Sequence, residues 1–568
     1  MRASLPRLVP ILAVLAAFAT CARAQEGILT GDVEWSGVVR VSEDILVAPG
    51  AVLTVRPGTR VLFARALGTR TDPVFWSPGT ELAVAGRLRV EGTPEAPVTF
   101  EGDGEEAGAW GGVVAAPGAE VVLHQAVVRG AQEGLLCVGA RCRLEGVRVE
   151  AAEYGLVLGP GSEVDATGVA LSECRVGLLD ARQAPAPVPG IAVSGAADAA
   201  VLQVPVPARA AAPVAARGEP RPRTEILGEL AVEADEVWSG EVILNARVTV
   251  VPGAVLTLTP GTRVAFRKAD PHGAGLGSGE LLILGGIRSL GLPHAPVVFE
   301  SAEPAPAPGD WDKVSLISAE SADNEFRYTV FRHGTQALHA HFSSFFAYRC
   351  LFEANLRAGQ FQESQDARLE GCVFVNNKQA LRFRDSTVAV RDSVFLDNLY
   401  AVHAFRCELT FAGNTVEGSS LGGFLAREST VRFLGNRLAR NRDGVRMREE
   451  GARAEVRGNR FEASAEGHLS LSRVEGLVEG NDFEAAGLDL VSLEDSGVRL
   501  RGNRFGPSGR DAVHLKGPGS VDARGNYWGP GPVAARIHDR TADPALGAVS
   551  WDPPLNSAPM LDLPGKTW

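Results

Sequence analysis

Apolar and polar residues alternate one for one over short stretches along most of this chain, and glycine and asparagine separate the stretches. In the second half the alternation settles into a unit close to x-V-x-V-x-G-N-x-F-x-x-N-x-x-G-V-x-V, as in Val498-Arg499-Leu500-Arg501-Gly502-Asn503-Arg504-Phe505. Period-two alternation marks a short strand with one face turned inward, and Gly-Asn and Asn-x-x-Gly mark corners. Asn414, Asn436, Asn459, Asn481, Asn503 and Asn526 each follow a glycine, at gaps of 22, 23, 22, 22 and 23 residues. So regular a period means one structural unit stacked on itself. Three strands in roughly 22 residues predict one turn of a parallel β-helix. Leucine-rich repeats share the period and an asparagine column. Here the inward positions are Val and Phe rather than a leucine frame, and second and third strands fill the half where a helix would lie.

Residues at one phase of such a coil stack about 4.8 Å apart, the spacing of neighbouring strands. The inward column of the second half reads Phe331, Phe352, Phe374, Phe395, Val416, Leu438, Phe461, Phe483, Phe505 and Trp528, with Val127, Val147 and Val169 as matching rungs in the first half. The Gly-Asn asparagines form a ladder that satisfies corner amides. Cys350, Cys372 and Ser393 hold the same phase earlier, so a Cys350–Cys372 bridge and a pair of small buried thiols are both open readings. A second corner carries Asn355, Asn377, Asn398, Ser419, Asn441 and Ser464.

A duplication divides the chain. Trp35–Phe63 aligns without gaps to Trp238–Phe266, with 17 identities in 29 positions at an offset of 203, and Trp110 and Trp311 open the periodic sections that follow. The stretch 181–223 is rich in Pro and Ala, which suits an extended linker rather than a sheet ladder. The expected organisation is therefore a signal peptide over 1–24, a short module over 25–180, a linker over 181–223, a long module over 224–535 and a C-terminal extension over 536–568.

The N-terminus changes the setting. Arg2 and Arg7 precede the apolar run Leu8–Ala19, and Ala22-Arg23-Ala24 is a small-x-small cleavage signal, so export with cleavage after Ala24 is expected. Thr20 before Cys21 is a poor lipoprotein signal, and no later apolar run approaches a membrane span. Losing Arg2, Arg7 and Arg23 takes the formal charge from −12 to −15, which argues against nucleic acid as a partner. Six cysteines remain, which permits disulfides without requiring them. No cysteine or histidine cluster has zinc-finger spacing.

Gly525-Asn526-Tyr527-Trp528-Gly529, Ile537-His538-Asp539 and Trp551-Asp552-Pro553-Pro554 resemble a recurring ending of secreted bacterial right-handed parallel β-helix repeat proteins. The paired openings Pro49–Thr59 and Pro252–Thr262, and Gly108-Ala109-Trp110-Gly111-Gly112, are similar to the start of the same group. The resemblance covers most of the mature chain. It implies an all-β, right-handed, pectin-lyase-like architecture, shared with pectate lyases, polygalacturonases and the copper-site maturation protein of nitrous oxide reductase. It also implies a carbohydrate-facing surface, but no particular reaction.

The strand after the second corner presents two outward columns. One reads His339, Gln360, Arg382, His403, Leu425, Arg446, Ser470, Asp489 and His514; the other reads His341, Gln362, Arg384, Phe405, Arg427, Arg448, Ser472, Val491 and Lys516. The candidate ligand-binding residues are His339, His341, Arg382, Arg384, His403, Arg427, Arg446, Arg448, His514 and Lys516. Stacked arginines suit bidentate contacts to carboxylates or sulfates along a polyanion; a solvated charge stripe is the plainer alternative. In the short module the matching positions, Leu136, Val157 and Leu179, are apolar. The opposite sheet mixes signs and reads as solvent surface. His339 and His341, with His333 nearby, lack an acidic or thiolate partner in register, so no metal site is expected there.

These features predict an exported, non-catalytic scaffold that binds an acidic polysaccharide or another cell-surface component, with no cofactor. The alternative is a polysaccharide lyase or related carbohydrate-active enzyme using loop carboxylates such as Glu363, Asp366, Asp385, Asp397 and Asp443, with calcium. The paired acids of a glycosidase, a nucleophile elbow and a phosphate-binding loop are not seen.

Overall fold

The computed structural model describes residues 27–66, 72–104, 106–205, 223–319 and 323–561. The expected signal peptide, with its expected cleavage after Ala24, lies outside the described residues, as do 206–222 of the proline-rich stretch and 562–568. The chain forms two right-handed parallel β-helices. In the first, residues 27–203, strands pair in parallel with the strand three further along, except in the last turn, where the step is two, giving sheets of eight, six and seven strands. The second, from Arg223, has one sheet of 13 strands and a second of 26 whose successive strands bend round a corner and line two faces. Val445–Arg457 and Leu469–Glu479 run through that corner unbroken. The described residues hold one helix, a four-residue 3₁₀ turn at Val533–Arg536, and none long and apolar enough to cross a membrane.

Each module has its own core. In the second, Phe331, Phe352, Phe374 and Phe395 stack with centroids 4.9, 4.8 and 4.6 Å apart, close to the strand spacing, so the ladder sets the ring stack. Each buried ring contributes roughly 1.5–3 kcal/mol. The duplicated blocks close their modules alike. Trp110 stacks on Phe63 at 4.1 Å and Trp311 on Phe266 at 4.4 Å, and the indole N–H donates to Arg129 O in one case and Arg332 O in the other. In the first module the inward column is Val128, Val149 and Leu171. Val147 and Val169, expected as its rungs, sit two positions earlier at the corner, above and below one another.

The asparagine ladder is continuous. Asn459 Oδ1 accepts from Asn436 N and Nδ2 at 2.8 and 3.0 Å, while Asn459 Nδ2 donates to Phe433 O and Asn481 Oδ1, both at 2.9 Å. The glycine before each asparagine takes a left-handed φ, +60° at Gly458, which an L side chain resists. Cys350 and Cys372 are buried free thiols in this column, and the other four described cysteines, elsewhere in the two modules, are likewise buried and free.

Two segments carry more structure than their composition suggested. Ile191–Ser194 and Ala199–Gln203, inside the Pro/Ala-rich stretch, add to the first module's ladders. Ile537–His538 and Val549–Ser550, in the C-terminal extension, pair onto the last rung of the second. In both places the strands fall between the prolines, where every residue supplies a ladder N–H.

Candidate functional site

The two modules lie side by side. Contacts between them pair Trp76 with Lys378, Glu133 with Arg442, Tyr154 with Glu466 and Asp198 with Arg510. Both series ascend together, so the rods point the same way. What holds them is the outward face of the first module. Val114, Leu136, Val157 and Leu179 stack in register and are at most 1% exposed, packed with Leu421 and Ala465 of the second module and flanked by Leu399, Tyr400 and Leu488. An apolar column on the outside of a β-helix has no place in water, and here the second rod covers it.

Buried charge surrounds this apolar strip. Glu466 accepts from Tyr154 Oη at 2.5 Å and Arg442 Nε at 2.8 Å, and pairs with Arg175 and Arg446. Burial raises a carboxyl, but Arg446, Arg175 and Arg442 outweigh it and hold Glu466 well below the ordinary range. At the upper end Lys378 Nζ donates to Pro73 O, Val74 O and Phe75 O at 2.7, 2.7 and 2.9 Å and lies 4.0 Å from the Trp76 ring centre. A loop of the first module thus closes over an ammonium of the second. Burial pulls Lys378 down to about 7, while Glu81 opposes the shift.

Beyond the strip the two surfaces diverge and leave a cleft of about 790 Å³. Its cationic wall is the sheet of strands Gln379–Arg384, Tyr400–Phe405, Gly422–Arg427 and Val445–Arg457. Six of the ten candidate residues, Arg382, Arg384, His403, Arg427, Arg446 and Arg448, line it. His339 and His341 stand above it. His339 hydrogen-bonds Ser315 at 3.3 Å, and His341 faces Glu363 at 3.4 Å with Phe342 stacked on its ring. His514 and Lys516 stand below; His514 holds Asp511 at 2.8 Å and Lys516 is exposed. The outward columns register as expected through Ser470 and Ser472. The next rung is then Ser492 and Glu494, not Asp489 and Val491. Val491 points inward against Leu469, because the preceding turn, from Arg446 to Ser470, is 24 residues long and the regular 22-residue step from Ser470 then reaches Ser492.

The arginines of the wall differ in partners. Arg384 pairs with Asp385 at 3.0 Å, Arg427 with Glu449 at 2.6 Å and Arg446 with Asp443 at 3.1 Å. The side chains of Arg382 and Arg448 make no ion pair or hydrogen bond among the described residues. Burial, with Arg384 and Arg427 beside it, draws Arg382 down to about 10, still charged at neutral pH. His403 is pushed to about 3 by burial and by Arg382 and Arg357, so it stands neutral between cations. The fully buried cations Arg357 and Arg442, and the opposing wall of Glu133, Glu153 and the 72–79 loop, were not singled out from sequence. The apolar column Leu136, Val157 and Leu179 was the signal that a second surface covers this one.

Of the loop carboxylates considered for catalysis, Asp443 lines the cleft, where it accepts from Gly423 N at 2.9 Å and pairs with Arg446. Asp385 is held by Arg384 and Arg406, Asp366 by Arg368 and Glu363 by His341. They point to different places on the rod and do not converge.

Residues 311–438 and 384–528 match a family model described as a right handed beta helix region. No curated protein matches the chain.

Proposed function

We propose that this right-handed β-helix protein is an exported, non-catalytic scaffold whose cleft between the modules binds a short stretch of an acidic polysaccharide. The observation that carries the reading is the pair Arg382 and Arg448, two guanidinium groups on a concave wall that make no ion pair among the described residues, although Glu153 and Glu449 lie near enough to act on Arg448. A guanidinium presents a planar fork matched to a carboxylate or sulfate, and a partly desolvated one gains most from such an anion. The cleft volume falls within the roughly 300–1,000 Å³ of small-ligand sites, so a few sugar units enter rather than a long chain. Residues of the first module line the other side of the cleft and convert an open charged face into a bounded site.

The test is calorimetric binding of oligouronates to the mature chain at low and moderate salt. The Arg382→Glu, Arg448→Glu double variant should weaken binding roughly 100-fold or more, from two charge-assisted contacts. Unchanged affinity in that variant sinks the reading. The lyase alternative has its own readout. A calcium-dependent rise in ultraviolet absorbance from unsaturated products would replace the scaffold with an enzyme.

A further inference from the structure

At the foot of the same outward column, below the cleft, His514 and His538 occupy equivalent positions on adjacent rungs, with ring centres 4.3 Å apart and planes 6° apart. Asp511 Oδ2 lies 2.8 Å from His514 Nδ1. One donor atom from each of Asp511, His514 and His538 lies within 4.8 Å of the other two. We propose that these three side chains bind a divalent ion of the zinc class.

Three observations point to a cation rather than to a satisfied polar cluster. The carboxylates nearby are neutralised by arginine: Asp489 by both ends of the Arg510 fork at 2.8 and 2.6 Å, and Asp198 by Arg175 and Arg510, each at 2.8 Å. Asp511 has no lysine or arginine partner among the described residues, so its charge faces two imidazoles alone. His538 makes no side-chain hydrogen bond among the described residues, which leaves its ring nitrogens free as donors to a metal. Asp489 Oδ1 lies 3.8 Å from His514 Nδ1, with its charge already matched by Arg510. Arg510 is held by its bonds to Asp489 and Asp198.

The ion takes the place of the proton shared between His514 Nδ1 and Asp511. The imidazole then carries its proton on Nε2, and the N···O separation opens toward the roughly 3.3 Å edge of a tetrahedral site with bonds of about 2.0–2.2 Å. His538 tilts out of the stack to supply the second nitrogen, and water completes the shell. A nitrogen-rich set with one carboxylate suits zinc and its neighbours better than calcium or magnesium, which favour oxygen alone. Because Arg510 ties this end of the second module to Asp198 of the first, an ion here stiffens the place where the shorter rod ends.

The experiment is calorimetric titration of zinc chloride into the metal-stripped mature chain, free of any histidine tag. One equivalent should bind. His538→Ala and Asp511→Asn should each weaken it at least about tenfold, with metal-free melting curves like the parent. Asp511→Asn keeps shape and hydrogen bonding, so it remains decisive if His538→Ala perturbs the stack. Absence of binding overturns the proposal, and so does affinity unchanged in both variants.

Discussion

The two modules open on a shared 29-residue block, identical at 17 positions, and bury it the same way, down to the indole over the phenylalanine, yet they diverge where side chains face out. In the shorter rod the outward column is Val114, Leu136, Val157 and Leu179; in the longer it is Arg382, His403, Leu425 and Arg446. The inward half of each alternation answers to the rod's own core, which duplication preserves. The outward half answers to whatever lies beside it, which differs for the two copies. The corners diverge too. Asparagine ladders run through the longer rod, while Ala126, Val147 and Val169 hold the matching corner of the shorter one.

The sharpest way to break this comparison is to give the short rod a charged outward face. Leu136→Asp should cost about 5 kcal/mol, the lost burial plus an unpaired charge, and should part the rods. Small-angle scattering should then show a larger radius of gyration while far-ultraviolet dichroism stays β, because Leu136 belongs to the cluster between the modules and not to the first module's own core. Unchanged scattering and melting would mean the rods do not depend on that strip.

A smaller effect is expected from the buried charges around it. Glu466→Gln leaves Arg175, Arg442 and Arg446 without their shared carboxylate and should cost about 3 kcal/mol at pH 7. Glu466 has a depressed pKa, so its stabilisation is present above the unfolded carboxyl value of about 4.3 and is lost as pH falls through the folded one. His468, fully buried, is held neutral to about 4 chiefly by that burial. The unfolded chain takes up its proton near pH 6.5, so this contribution fades from about 6.5 down to 4. Melting across pH 7 to 3 should show loss beginning near 6.5. The variant should flatten the acidic end, and a parallel curve would contradict the assignment.

The least costly change separates the corners. Asn459→Val strands the amide of Asn436 and the carbonyl of Phe433 and should cost about 2 kcal/mol. The reciprocal Val147→Asn should also destabilise, since Ala126 and Val169 offer no side-chain partner above or below it. If chemical denaturation shows either swap to be neutral, each corner chooses its residue independently of its column.

Much of this was legible in the chain. The gaps between Gly-Asn pairs gave the rung, and the phenylalanines two residues later gave the core, because both are set by contacts within a turn or between adjacent turns. The later outward register slipped at Ser492, because the turn before Ser470 holds 24 residues instead of 22, and the strands at Ile191–Ser194 and Ala199–Gln203 were hidden by the prolines around them. Six of the ten candidate residues line one cleft, but which arginines lack a partner was not readable, since Asp443, Glu449 and Asp385 reach theirs through corner geometry.

The sequence by itself determined the coil, its duplicated openings and the sign of each outward column, since all three follow from local periodicity and stacking at strand spacing. The tertiary structure alone decided that the rods lie side by side and that a charged stripe becomes a bounded cleft. That docking depends on shape and charge matched between residues some 300 positions apart, Tyr154 and Glu466 among them, and no period along the chain encodes such a pairing.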